Sequence, residues 1–444
     1  MLNREDLINY FISGIKEEGT EKIGTEHEKF VYKKSDYSLL PYSGKVSISE
    51  ILGHFKNDNW EPIYEGKNII SLQKKGASIT LEPGGQLELS GAPLETVHET
   101  CNEITDHLEF TKSLEEEMGI GFLGLGFLPI QLLDDVPEVP KKRYETIMRP
   151  YMKKLGGLGL DMMHRSCTVQ ANFDYLSEKD MRKKIRVSSA LQPLVTGIFA
   201  NSPFSDGKVN GYQSYRSFVW SKTDPDRTGI LPSMIGKNFS FEEYIDYALN
   251  VPVYAIIRDG IYTNCLKYSF QDLMNNKSET IKAQDLTLAD WIDHLSTVFT
   301  EVRLKTYIEM RGADAGSRFS LCALPAFWAG LIYCTECLDE SISIIDKWDY
   351  QDILRFKIQI AKIGLDAEIN NISGWDLAEQ FISISRKGLA NRSKLNSKGK
   401  DESIHINYID DVIRKKETSS LRLINLYNNK WNGDLNSIYS SESF

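Results

Sequence analysis

Six glutamates and three cations fall on the polar faces of stretches that alternate polar and apolar residues, the pattern of strands with one side in a core. In I-G-T-E-H-E-K-F-V-Y, Glu26 and Glu28 share one face, with His27 and Lys29 on the other. Ile79–Gly91, I-T-L-E-P-G-G-Q-L-E-L-S-G, is two strands around a Pro83-Gly84-Gly85 turn. Its apolar residues Ile79, Leu81, Leu87 and Leu89 alternate with Thr80, Glu82, Gln86, Glu88 and Ser90. In E-V-R-L-K-T-Y-I-E-M-R, read as one strand over Glu301–Arg311, the residues Glu301, Arg303, Lys305, Tyr307, Glu309 and Arg311 share a face. A fourth stretch, His164–Tyr175, lines up Ser166, Thr168, Gln170, Asn172 and Asp174, neutral hydrogen-bonding groups apart from the last. Such a row suits a polar ligand, or equally a solvated edge.

If those faces converge, Glu26, Glu28, Glu82, Glu88 and Glu309 enter one cavity beside Arg216, Arg303, Lys305 and Arg311. Five buried carboxylates cannot all ionise unless cations neutralise them. Magnesium fits, as a hard ion that takes oxygen ligands and shares them with phosphates. The arginines and Lys305 would hold phosphate or a substrate carboxylate. The chemistry so indicated is metal-dependent phosphate chemistry without a P-loop, since no G-x-x-x-x-G-K-[ST] is present. Gly119–Pro129, G-I-G-F-L-G-L-G-F-L-P, is no dinucleotide fingerprint, because no helix start follows it. Taken singly, Glu26 or Glu88 reads as an exposed strand acid, and Trp220 or Tyr254 as an ordinary core or surface aromatic. His27 faces away from the acids and reads as structural; Asp224 and Asp226 read as turn formers.

The elements that must position these groups follow from periodicity. Helices are expected over residues 1–19, Ser47–Phe55, Leu94–Met118, Arg143–Leu155 and Met181–Ala200, with a long loop-rich segment over Asn201–Lys237. From about Asp339 the chain turns polar and helical. At 444 residues with 41% apolar and 26% charged, the chain has ample core for one large catalytic domain, with the sheet and site over about 20–335 and a helical part over 339–444. A net charge of −10 argues against nucleic-acid binding. No apolar run is long enough for a membrane span, and the acidic start, M-L-N-R-E-D-L, reads as a cytosolic N-terminus. Six cysteines in so long a chain do not make a disulfide framework, and Cys334-Thr-Glu-Cys337 reads as a pair of plain thiols.

Several motifs carry a resemblance. G-T-E-H-E-K-F, L-E-P-G-G-Q-L-E-L-S-G-A-P-L-E, R-Y-x-x-I-M-R-x-Y-M, C-T-V-Q-x-N-x-D, A-L-Q-P-L-V-T-G-I-F-A-N-S-P-F, Y-R-S-F-V-W, T-D-P-D-R-T-G, E-V-R-L-K-x-Y-x-E-M-R-G-A-D and L-C-A-L-P-A-F-W occur in that order. They resemble the plant and proteobacterial type of glutamate–cysteine ligase from about residue 20 to the C-terminal L-Y-N-N-K-W. The resemblance implies an α+β, glutamine-synthetase-like carboxylate–amine ligase fold, a curved and mainly antiparallel sheet forming a funnel among helices. It implies ATP- and magnesium-dependent joining of the γ-carboxylate of L-glutamate to the amine of L-cysteine through a γ-glutamyl phosphate, the first step of glutathione synthesis. Carried over residue by residue, Glu26, Glu28, Glu82, Glu88 and Glu309 become ligands of two or more magnesium ions. Arg311 would sit at the transferring phosphate, with Arg303 and Lys305 near the nucleotide. Thr168, Gln170, Asn172, Arg216, Trp220 and Arg143 would surround glutamate, with Tyr254 on the cysteine side.

Two departures matter. After R-G-A-D the family continues with a Gly-Gly-Pro-Trp-Arg-like turn, where this chain has Ala315-Gly316-Ser317-Arg318-Phe319-Ser320. A regulatory disulfide of some relatives would use Cys265, but Gln271–Leu286 holds no second cysteine, so no such switch is expected. The altered loop keeps open a related ligase with another amine acceptor, and a non-catalytic binding homologue is the reading from a different class. The partners expected are the small-molecule substrates, with the chain a monomer or homodimer.

Overall fold

The computed structural model describes residues 1–444. Nine strands form the main sheet: β1 (Ile23–Lys33), β2 (Glu61–Glu65), β3 (Asn68–Lys74), β4 (Ala77–Leu81), β5 (Leu87–Ser90), β6 (Ile120–Leu123), β7 (Thr168–Phe173), β8 (Val302–Leu304) and β9 (Ile308–Asp314). Their order is β8-β9-β7-β1-β5-β4-β3-β2, with β6 paired to the far end of β1. Every pairing within this sheet is antiparallel.

The register delivers the polar residues to one place. Glu28 lies opposite Glu88, Glu26 opposite Gln170, Glu309 opposite Asn172, and Arg303 opposite Glu309. A slip of one residue in any pair would turn its acids to the other face. That other face is apolar. On it Val169, Ala171, Phe173, Ile308 and Met310 are buried with residues of helices α4 (Glu178–Ile198) and α6 (Arg318–Ile332) in one hydrophobic cluster. The helices numbered before these are α1 (Arg4–Ile12), α2 (Val97–Met118) and α3 (Arg149–Leu155); α5 (Tyr215–Trp220) lies between α4 and α6. After α6 come α7 (Thr335–Ile345) and α8 (Gly374–Arg392). Helix α8 crosses α6 in backbone contact: a Cβ on Gly388 would clash with the carbonyl of Gly330.

Several sequence expectations change. The stretch over Glu301–Arg311 is a hairpin rather than one strand: β8 ends at Leu304, and Lys305 N donates to Tyr307 O at 2.8 Å before β9 returns. Its turn contains neither Gly nor Pro, so composition gave no sign of it. The N-terminal helix stops at Ile12, since Gly14 must approach Thr306 and Tyr175 too closely for any side chain. Tyr144–Met148 is a π-helical turn leading into α3, and the long loop-rich segment contains α5. One disulfide, Cys101–Cys322, joins α2 to α6, a single bridge rather than a framework. Those two positions lie 221 residues apart, so nothing local marks them as partners. Cys167, Cys265, Cys334 and Cys337 are free and buried. No single helix is long and apolar enough to cross a membrane.

Candidate active site

The polar face of the sheet lines a cavity of about 210 Å³ bounded by Glu26, Glu28, Glu82, Glu88, Arg143, Thr168, Gln170, Arg216, Trp220, Arg303 and Arg311. Three elements hold the acids. Strand β1 carries Glu26 and Glu28, and β5 carries Glu88. Glu82 closes β4 at the glycine turn, where Gly85 takes φ +82 and a Cβ on Gly84 would strike the His164 carbonyl. Gln86, placed with the acids by alternation, instead bolts that turn down: its Nε2 donates to Met163 O and Ser166 O at 3.2 and 3.0 Å.

Burial sets the charge of the acids. It raises the Glu26 carboxyl to about 7, reinforced by Glu309 and Glu88. Glu28 is pushed well above its ordinary range by burial and by Glu82 and Glu88. Glu88 is raised by burial and by Glu82, against a hydrogen bond from Thr80 Oγ1. Asn172 Nδ2 donates to Glu26 Oε1 at 2.8 Å, and the Thr168 amide to Glu28 Oε2 at 2.9 Å. Three close carboxyls, each raised by burial and by its acidic neighbours, form a donor set for a hard cation.

Glu309 is the exception. Arg303 Nε, Lys305 Nζ and Arg311 Nη1 stand 2.5, 2.6 and 3.2 Å from its oxygens. Burial opposes its ionisation, but the three cations outweigh burial and hold the carboxyl well below the ordinary range. Glu309 therefore organises the cations, and does not line the cavity. The hairpin makes this possible, because Arg303 and Glu309 are cross-strand partners while Lys305 and Arg311 flank them. Arg311 is further fixed by Gln170 Oε1, 2.6 Å from its Nη1.

Arg216 and Trp220 come from consecutive turns of α5, and the guanidinium lies over the indole at 5.6 Å. Arg216 Nη2 donates to Arg311 O at 3.0 Å, whereas Arg216 Nε and Trp220 Nε1 are buried with no partner in the protein. Arg143, at the start of the π-helical turn, donates to Ser296 Oγ at 3.1 Å and reaches the cavity wall. Asn172, Lys305 and Tyr254 stand outside the lining. Asn172 and Lys305 act on it through Glu26 and Glu309. The buried Tyr254 stacks under Arg227 at 3.8 Å, its hydroxyl unpartnered and raised to about 12 by burial.

Sequence reasoning missed several participants. Asp224 does form the turn, its Oδ1 accepting from the Asp226 amide at 3.0 Å, but it is also fully buried, accepts from Arg227 Nε at 2.9 Å and Tyr151 Oη at 2.7 Å, and so props Tyr254. The three-residue spacing of acid and arginine in T-D-P-D-R was the available signal. Lys141, buried near Glu82 and Glu88, donates to Leu81 O at 2.9 Å. Met148, Met162, Met163 and Phe299 supply an apolar wall that reads as plain core in sequence. The altered loop Ala315–Ser320 does not line the cavity, and its Phe319 side chain is exposed to solvent.

With this geometry in hand, comparison with known proteins is informative. The sequence profile of glutamate–cysteine ligase family 2 matches residues 22–441. The chain belongs to that family. It is 46% identical over 441 residues to the chloroplastic glutamate–cysteine ligase B of Oryza sativa subsp. japonica, covering 99% of this chain and 86% of that one. It is 44% identical over 441 residues to the chloroplastic enzyme of Arabidopsis thaliana, covering 99% and 82%. A crystal structure of glutamate–cysteine ligase from Francisella tularensis in complex with AMP superposes with a TM-score of 0.59 at 13% identity, covering 95% of this chain and 87% of that one. The carboxylate–amine ligase fold expected of the family is thus present. The cytosolic reading of the N-terminus is overturned, because these relatives are chloroplastic along a match that runs the length of this chain.

Proposed function

We propose that the cavity is where this family member carries out its reaction, with the whole chain serving as one catalytic unit. The protein is an ATP-dependent glutamate–cysteine ligase that forms γ-glutamylcysteine, the first step of glutathione synthesis. The observation that carries the site assignment is the meeting, in one cavity, of four carboxylates free of salt bridges and a cluster of cations gathered on Glu309.

The two charge fields divide the labour. Arg311, and behind it Arg303 and Lys305, would face the phosphoryl group that passes from ATP to the γ-carboxylate, where negative charge is greatest. A γ-carboxylate oxygen bonds to the γ-phosphorus as the bond to ADP breaks. The cysteine amine then attacks the acyl carbon, and phosphate leaves as the amine gives up its proton. Arg216, with its unpartnered Nε beside the Trp220 indole N–H, supports capture of a glutamate carboxylate. Thr168, Gln170 and Asn172 hold the neighbouring acids and Arg311 in place, and Arg143 reaches the cavity from the opposite wall. Tyr254, propped by Asp224 and Arg227, would border the cysteine side.

The residues present fit magnesium: all donors are oxygens, and three of the acids are raised by burial and mutual repulsion that a cation would relieve. Glu26, Glu28, Glu82 and Glu88 would hold the ions, which when bound screen the phosphate charge.

The test is ADP release with magnesium, ATP and glutamate, with and without cysteine, on wild type and Glu88→Gln. Cysteine-dependent turnover that falls at least about tenfold in the variant supports both the reaction and the metal face. Turnover that ignores cysteine but follows another amine moves the acceptor, and absence of turnover with every amine overturns the reading.

A further inference from the structure

The Cys101–Cys322 bridge has a histidine beside it. Cys101 lies in the first turns of α2, Cys322 near the start of α6, and His405 in the short 3-10 helix Glu402–Ile406. The two sulfurs and a ring nitrogen of His405 all lie within 4.8 Å of one another. The orientation of that ring is fixed from outside. The Lys394 carbonyl can only accept, so His98 Nε2, at 3.3 Å, carries a proton and donates it. In the tautomer with the His98 proton on Nε2 alone, its Nδ1 accepts from the Nε2–H of His405 at 2.8 Å, and His405 Nδ1 is left as a lone pair. A hydrogen bond from the other ring nitrogen is what fixes the tautomer and orientation of a metal-binding histidine.

We propose that, once the bridge is reduced, Cys101, Cys322 and His405 form a site for a thiophilic metal ion, with Zn²⁺ the reference ion. A dithiol reductant supplies two electrons and two protons: the S–S bond breaks, two thiols form, and the reductant leaves as its own disulfide. Binding of the ion releases both thiol protons as two thiolate–metal bonds form, while His405 contributes its lone pair. Water takes the fourth position. Two sulfurs and one nitrogen select zinc-like ions over magnesium, so this site does not compete for the ion of the cavity. Ligand atoms in a tetrahedral zinc site stand about 3.5–4 Å apart; the ring nitrogen already lies within 4.8 Å of both sulfurs, and the sulfurs must part to that distance once their bond is reduced. The Cα atoms of the two cysteines, 5.3 Å apart, leave that separation to side-chain rotation. Both sulfurs are buried, and the partly exposed His405 gives an ion its route in. The consequence is a tie between α2, α6 and the C-terminal region that exists in either redox state, covalent when oxidised and coordinate when reduced.

The experiment uses the full chain, reduced and then freed of reductant under anaerobic conditions, with excess Mg²⁺ to occupy the carboxylate cavity. Titration with Co²⁺ should give a sulfur-to-cobalt charge-transfer band and tetrahedral d–d bands at one equivalent, both erased by Zn²⁺ and absent from the oxidised protein. His405→Ala should weaken the apparent affinity at least about tenfold, and Cys101→Ser should lose the band. A reduced wild type with no charge-transfer band, or a band undiminished in His405→Ala, overturns the site. Thermal melting of the same reduced samples is the second reading. Zn²⁺ should raise the melting temperature of the wild type and not of His405→Ala, and an equal or absent shift overturns the proposal even where reduction loosens the fold.

Discussion

Glu309 shows how one residue can be read correctly by face while its partners go unread. Alternation placed it with the other polar groups, and it is there, but its oxygens serve Arg303, Lys305 and Arg311. The charges on a strand face were legible; which acid belongs to which cation was not, because pairing depends on a turn at Lys305–Tyr307 with no turn residues. Gln86 was misplaced because a side chain that bonds backbone leaves no periodic trace, whereas the Asp224–Arg227 pair was legible in its three-residue spacing and went unread. Replacing Glu309 by Gln leaves three buried or half-buried cations without their counter-charge. The expected cost is about 3–5 kcal/mol, read as a lowered denaturant midpoint, together with loss of turnover. A variant as stable as wild type would mean that the cation cluster does not depend on this carboxylate.

At the scale of elements, strands and long helices were legible wherever one face is apolar. The expected Leu94–Met118 helix is observed as Val97–Met118, closed by a Thr96–Glu99 capping box. The I-G-T-E-H-E-K-F-V-Y strand is observed as Ile23–Lys33. What escaped was how elements meet. The crossing of α6 and α8 depends on two glycines in separate helices, Gly330 and Gly388, and no periodicity links them. Gly388→Ala inserts a methyl group where the Gly330 carbonyl already sits, so the helices must part. The expected loss is about 1–3 kcal/mol in equilibrium unfolding, with the KM for glutamate unchanged because the cavity lies on the other face of the sheet. Unaltered stability would show that the two helices slide freely.

Over the whole molecule, the sheet separates two electrostatic worlds. On the side away from the acids, Lys29 is fully buried with its amine 2.9 Å from His107 Nε2, and burial lowers that amine from its ordinary 10.5 to about 7. Between those values the unfolded chain binds the extra proton. Stability contributed at this position should therefore climb as pH rises from about 7 toward 10.5. The difference in melting temperature between wild type and Lys29→Met, followed across that range, isolates the effect, and a difference independent of pH would refute it. Compartment was the whole-molecule property that sequence physics misjudged, since a core packs alike wherever the protein resides. The acid side of the sheet has the opposite habit. With Glu26 raised to about 7, and Glu28 and Glu88 raised beside it, a cation settling there must evict protons. Ion uptake is then also acid release. Affinity should tighten as pH rises through about 7, and the heat of binding should change with the ionisation enthalpy of whichever buffer collects the protons.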